Sequence, residues 1–142
     1  MRVLLDTNVF VSYLLTPGQA GSIDAIFNAF LDGRFTLLLP KDVMDEMDEV
    51  VRERPQLARR VLPERLNRFH DQLASLGEVV PSIDQAIPRI TRDRKDDYLI
   101  AYAVVAAADY LVSGDKDLLT LGEIAGVRIV TTAAFAALLS ER

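Results

Sequence analysis

The chain has 142 residues, half of them apolar and 26% charged, with no cysteine and a single histidine, His70. This length fits one domain over residues 1–142 with a single core, and the lack of thiols excludes a disulfide framework, a cysteine–zinc site and a thiolate nucleophile. One histidine excludes a multi-histidine metal site, and a net charge of −5 argues against broad electrostatic attraction to nucleic acid.

Residues 2–5 read as a short, continuously apolar, buried strand. A helical stretch follows over residues 9–15 and is broken at Thr16-Pro17-Gly18. Residues 22–31 form a second helix, with Ile23, Ile26, Phe27 and Phe30 on one face and Gly33 as its stop signal. Residues 35–39 are a second buried strand, and Pro40 opens a helix carrying Val43, Met47, Val50 and Val51 on one side. Pro55 interrupts it. Residues 56–76 form one or two helices, with a break near Pro63. Val79-Val80 is a weak third strand, and residues 81–92 are loop. A helix over 94–108, a strand over 110–112, a helical turn over 118–121, a strand over 127–130 and a closing helix over 132–139 complete the chain. The closing helix either covers the sheet or offers a dimer surface, and covering is the default.

Strands and helices alternate, and the strands lack a two-residue period. This pattern predicts helices on both faces of a sheet: an α/β fold, a three-layer α/β/α sandwich with a mostly parallel central sheet. Active sites in such sheets gather at the carboxyl ends of strands, near a switch point. The longest apolar stretch, residues 99–112, is broken by Asp109 and is too short for a membrane span. Met1-Arg2 leads straight into a strand, too brief for a signal peptide, so the chain reads as cytoplasmic.

Four acids sit in or beside apolar stretches where an unpaired carboxylate is costly: Asp6, Glu46, Asp97 and Asp115. Asp6 ends the first strand, where it can also simply cap the next helix. Glu46 lies at the margin between the apolar and acidic sides of its helix, taking about 100° per residue. Asp97 opens an apolar helix and shares a face with Ala101, Val104 and Ala108, which implies that something else approaches there. The capping and dipole roles at that amino end are assigned to Asp93 and Asp96. Asp115 lies in Ser113-Gly114-Asp115-Lys116-Asp117, which directly follows a buried strand. Asp117 either caps the next turn or joins a metal shell. No pattern of Lys or Arg neutralises all four acids, whereas a shared Mg2+ or Mn2+ does, because hard divalent cations take oxygen ligands. Two basic groups, residues 52–68 and 89–95, read as ordinary salt-bridged surface. They also suffice to meet a polyanion once metal neutralises the acids.

These segments resemble a known family. Val3-Leu4-Leu5-Asp6-Thr7-Asn8-Val9 is similar to the opening motif of PIN-domain nucleases, Glu46-Met47 to their second acidic position, Asp97-Tyr98-Leu99-Ile100-Ala101 to the third, and the segment 110–118 to the fourth. The length resembles the toxin components of toxin–antitoxin pairs (VapC-like); Pro40 departs from the Ser that relatives often carry there. The resemblance implies a Mg2+- or Mn2+-dependent endoribonuclease in which Asp6, Glu46, Asp97 and Asp115 form the acidic centre. Asp117 is a further metal ligand, and Asn8 and Ser113 are supporting polar residues. It also implies a cognate antitoxin and a homodimer. One or two ions held by the acids would bind a scissile phosphate, activate water and stabilise the leaving oxygen, while Arg52, Arg54, Arg92 and Arg94 are candidates to grip the RNA backbone. An aspartate-nucleophile phosphatase is an alternative, but it wants an acid two residues after the first Asp, where this chain has Asn8. A phosphoacceptor receiver wants an acidic neighbour for Asp6. A non-catalytic nucleic-acid-binding domain of the same fold is the remaining alternative.

Overall fold

The computed structural model describes residues 1–16, 18 and 21–141. In chain order the elements are β1 (Arg2–Leu5), α1 (Thr7–Leu15), α2 (Ser22–Leu31), β2 (Thr36–Pro40), α3 (Lys41–Glu53), α4 (Pro55–Arg60) and α5 (Pro63–Leu76). They continue with β3 (Glu78–Val80), α6 (Arg94–Val105), β4 (Tyr110–Val112), α7 (Lys116–Leu121), β5 (Glu123–Ile124), β6 (Val127–Val130) and α8 (Thr132–Ser140). Together they form a three-layer α/β/α sandwich around one six-stranded sheet of order β3-β2-β1-β4-β6-β5. Every pairing is parallel except β5 with β6.

The apolar runs explain the sheet. Val3, Leu4 and Leu5 of β1 are fully buried, as are Leu37, Leu38 and Leu39 of β2, because helices cover both faces. From β1 the chain first builds outwards through β2 and β3, then returns to place β4 on the other side of β1. The boundary between β1 and β4 is therefore the topological switch point, where a crevice opens beyond the strands' carboxyl ends. The register Leu5↔Val112 and the hydrogen bond from the Asp6 amide to the Val112 carbonyl (2.9 Å) bring those two ends level.

On the far side of the core, α8 closes over the sheet beside α2. Phe135 meets Phe35 edge-on at 5.4 Å, and Arg34 donates to the Leu139 carbonyl. No helix among the described residues is long and apolar enough to cross a membrane.

Several boundaries differ from expectation, each for a local reason. Pro40 ends β2 opposite Val80 and takes the N-cap position of α3 instead of its first turn. Pro55 and Pro63 both open helices, where a missing amide costs nothing, so residues 55–76 form two helices. The helix expected over 94–108 stops at Val105, because Ala107 adopts a left-handed φ of 54°. The Ala108 amide then closes back on the Ala103 carbonyl (2.8 Å), a Schellman cap built without glycine. Strand β5 was not expected. It pairs with β6 through a two-residue turn in which Ala125 (φ 49°) and Gly126 (φ 86°) both take left-handed backbone. Gly77 permits the tight entry into β3, since a Cβ there would sit 2.6 Å from Leu39 Cδ1. Of the expected break at Thr16-Pro17-Gly18, Pro17 lies outside the described residues, as does Arg142 of the expected domain.

Candidate metal centre

The crevice at the switch point collects carboxylates from four elements. Asp6 leaves the end of β1 at the N-cap position of α1. Its Oδ2 accepts from the fully buried Ser113 hydroxyl just beyond β4 (2.7 Å). The Ser113 oxygen in turn accepts from the Asp115 amide (3.0 Å). Asp115 caps α7 by accepting from the Asp117 amide (2.8 Å), the role that sequence offered to Asp117. Glu46 reaches over from α3, half-buried, with Oε2 accepting from the Thr7 hydroxyl (3.1 Å).

Of the two adjacent acids on α6, the structure places Asp96, and not the expected Asp97, beside Asp115 and Asp117. Ligand oxygens of Asp96, Asp115 and Asp117 all lie within 4.8 Å of one another. Asp97 is rotated away and buried, 1% exposed, under the segment that precedes α6. Its Oδ1 accepts from the amides of Ile90 (3.1 Å) and Thr91 (2.7 Å) and from the Thr91 hydroxyl (2.9 Å). Asp97 does share a face with Ala101 and Val104, as its spacing implies. What approaches that face is the chain's own apolar segment, with Ile83, Ile87 and Pro88 lining the same cavity. Asp93 is the cap of α6, accepting from the Lys95 amide (2.9 Å). Asp96, which the first-turn position makes resemble a dipole-complementing acid, is the residue that sequence reasoning missed.

The electrostatics mark the same group. Burial pushes the Asp6 carboxyl above its usual pKa; hydrogen bonds from the Ser113 hydroxyl and the Asn8 amide oppose this, and the charges of Glu46 and Asp115 add to it. Asp96 is pushed up to about 6, first by burial and then by the charges of Asp115, Asp93, Asp6 and Asp117. Asp97 runs the other way: burial alone would raise it, but the hydrogen bonds from Thr91 and Ile90 outweigh burial and bring it below the usual value. Two cations approach the acids. Lys95 Nζ lies 3.4 Å from Glu46 Oε1, and Arg92 grips Asp117 with contacts down to 2.8 Å. Both side chains are largely solvent-exposed, 72% and 87%, so water screens these pairs and they leave the buried acids uncompensated.

A divalent cation fits the residues present. Asp96 Oδ2 is buried and has no hydrogen-bond partner among the described residues. Ligand oxygens at about 2.1 Å from Mg2+ stand roughly 3–4.2 Å apart around the ion, so a cluster within 4.8 Å closes on one with little movement. The donors are all carboxylate oxygens, the chemistry of Mg2+ or Mn2+ rather than of softer metals.

The other expected residues are placed as follows. Asn8 is exposed on the first turn of α1. Arg94 packs its guanidinium 5.8 Å from the centre of the Tyr98 ring. Arg52, about 9 Å along α3 from Glu46 by helical rise, points to Asn67 (3.5 Å), and Arg54 is exposed at the end of that helix. Of the four arginines, Arg92 contacts the centre and Arg94 stands beside it on α6.

Known proteins share this arrangement of elements. The chain superposes on a chain of the VapBC2 complex of Rickettsia felis, solved bound to a DNA fragment from their promoter, with a TM-score of 0.61 and 15% identity over 92% of this chain and 98% of that one. It also superposes on the PIN domain of human SMG5, with a TM-score of 0.56 and 15% identity over 97% of this chain and 99% of that one. No curated protein matches the chain. The PIN domain profile matches residues 2–117, a span that contains every acid of the crevice. The chain belongs to the PIN domain family.

Proposed function

We propose that this protein is a Mg2+- or Mn2+-dependent endoribonuclease and the toxin of a toxin–antitoxin pair. The observation that carries the proposal is the cluster of Asp96, Asp115 and Asp117 beyond the carboxyl end of β4, with a buried Asp96 oxygen left without a partner among the described residues and with Asp6 and Glu46 near enough for their charges to be felt. The family, whose domains are generally nucleases, supports the reaction class. The fold shared with a chain of a toxin–antitoxin complex supports the biological setting.

Asp96, Asp115 and Asp117 would hold the cation, with Asp6 and Glu46 completing the acidic wall. The cation supplies Lewis-acid polarisation of the phosphodiester and a lowered pKa for water. The chain's own residues position the parts. Ser113 fixes Asp6 and the Asp115 backbone together, and Thr7 fixes Glu46, so the carboxylates are preorganised by partners outside the ligand set. Arg92, paired with Asp117 at the edge of the cluster, would be placed to meet a substrate phosphate, and Arg94 would meet the strand's backbone. Cleavage needs no histidine or cysteine, in keeping with a chain that has one and none. In this reading a cognate antitoxin blocks the crevice, a second copy of the chain completes a homodimer, and RNA is met in the cytoplasm.

The test is cleavage of an end-labelled single-stranded RNA by purified protein in Mg2+ or Mn2+ and in chelator. The expected result is internal cleavage that requires the ion and is lost in Asp115→Asn. Cleavage that persists in chelator, or that survives in Asp115→Asn, contradicts the proposal.

A further inference from the structure

We propose that the cleft between α3 and α6 is a nucleobase subsite, in which one unpaired base of the substrate strand stacks on Tyr98 next to the scissile phosphate. The inference rests on the ribonuclease reading above and names how the strand is held.

The cleft has a volume of about 320 Å³ and is built by helical spacing. Lys95, Tyr98, Leu99 and Tyr102 recur at i, i+3, i+4 and i+7 on α6, and Asp42, Val43 and Glu46 face them from α3. It is a different face of α6 from those used by Asp96 and Asp97. Glu46 belongs to both sites: one oxygen is held by Thr7 at the acidic crevice and the other by Lys95 at the mouth of the cleft. A strand whose phosphate lies at the acids therefore has the cleft immediately beside it.

The chemistry of the walls suits a flat heterocycle. Val43 and Leu99 are apolar and buried, and Tyr98 is a half-buried aromatic ring with Arg94 packed against it. The rim is polar. Asp42 offers a carboxylate held by the Tyr102 hydroxyl (2.5 Å), and Lys95 offers an ammonium. A base has apolar faces and a rim of donors and acceptors, so faces and rim both match. Bases in a duplex are already stacked and paired, which restricts entry to single strands, where stacking on aromatic side chains is the common mode of capture.

The experiment is anisotropy of a labelled single-stranded RNA decamer, and of the same sequence as a duplex, in Ca2+ with the full chain and its Tyr98→Leu and Tyr98→Phe variants. Thermal melting confirms that each variant is folded. Tyr98→Leu is expected to weaken single-strand binding roughly 5- to 150-fold, the worth of one stacked base. Tyr98→Phe, which keeps the ring, is expected to stay within about twofold of the parent, and duplex binding is expected to be the same for all three. Single-strand binding unchanged in Tyr98→Leu overturns the subsite and leaves the cleft to a protein side chain. A loss in Tyr98→Phe equal to that in Tyr98→Leu also overturns it, because the hydroxyl and not the ring face would then carry the contact. The two readings fail separately. A parent that binds single strands through Tyr98 but never cleaves them refutes the nuclease, whereas a cleaving enzyme whose KM is untouched by Tyr98→Leu refutes the subsite.

Discussion

Asp96 and Asp97 are neighbours in sequence, about 100° apart around α6, and both are buried, yet they meet different surroundings. Asp96 lies within 4.8 Å of Asp115 and Asp117 in an acidic crevice, while Asp97 receives the Thr91 amide at 2.7 Å and pins down the segment ahead of the helix. One carboxylate is crowded by like charge, while the other takes three donors on its Oδ1 and keeps a buried Oδ2 without a partner among the described residues. Their substitutions therefore act on different properties. Asp97→Asn, which replaces a charged acceptor of three hydrogen bonds by a neutral one, is expected to lower Tm by roughly 4–8 °C. Asp96→Asn relieves repulsion and is expected to leave Tm of the metal-free protein unchanged or slightly higher. Differential scanning calorimetry in chelator distinguishes the two.

The raised carboxyls give the metal-free protein an inverted acid response. Asp96 at about 6 and Asp6 above its usual value bind protons more tightly in the folded state than in the unfolded chain. Between about pH 4 and about pH 6 the folded state holds the extra protons, so stability falls as pH rises through that window and then levels off. Asp97, held below its usual value, contributes the other way. Its stabilisation is present above the unfolded pKa and is lost only as pH falls towards its folded one. Melting in chelator is expected to show Tm lower at pH 7 than at pH 5 by about 3–6 °C. Mn2+ competes with those protons, so the Tm increase it produces is expected to be larger at pH 7 than at pH 5.

Ser113 links the two strand ends through a single oxygen, which donates to Asp6 and accepts from the Asp115 amide. Ser113→Ala leaves a part-buried amide and a part-buried carboxylate oxygen each short of a partner, at a cost of about 1–3 kcal/mol in urea unfolding. The ligands also lose their alignment, and affinity for Mn2+ is expected to fall about tenfold or more, as is usual when an outer partner of a metal ligand is removed. A variant that lost stability but bound Mn2+ like the parent would remove Ser113 from the positioning role.

The cap after α6 offers a gain in stability at a distance from the centre. Ala107 holds φ at 54°, where an alanine is strained and a glycine is not. Ala107→Gly is expected to stabilise the fold by up to about 1 kcal/mol in urea unfolding, after the extra entropy of glycine in the unfolded chain is offset. Affinity for Mn2+ is expected to stay the same.

Much of this arrangement is legible in the sequence because it follows from local patterns. Apolar runs without a two-residue period mark buried parallel strands, and acids at or within three residues of the ends of two of them, Asp6 and Asp115, mark the end of the sheet where a crevice opens. The choice between Asp96 and Asp97 was not legible. Both face inwards, and what separates them is a cover of Ile83, Ile87 and Pro88, a segment with no periodicity from which to place it over α6. The cap at Ala107 and the hairpin at Ala125-Gly126 were hidden for another reason. Alanine occupies left-handed positions where glycine or asparagine is the usual signal, and surrounding hydrogen bonds hold it there.

The most direct test is calorimetric titration of Mn2+ into the parent, Asp96→Asn and Asp97→Asn near neutral pH. If Asp96 closes the cation site, its replacement weakens binding about tenfold or more, while Asp97→Asn binds within about threefold of the parent. Equal affinity in the parent and Asp96→Asn, or a loss confined to Asp97→Asn, would contradict the account.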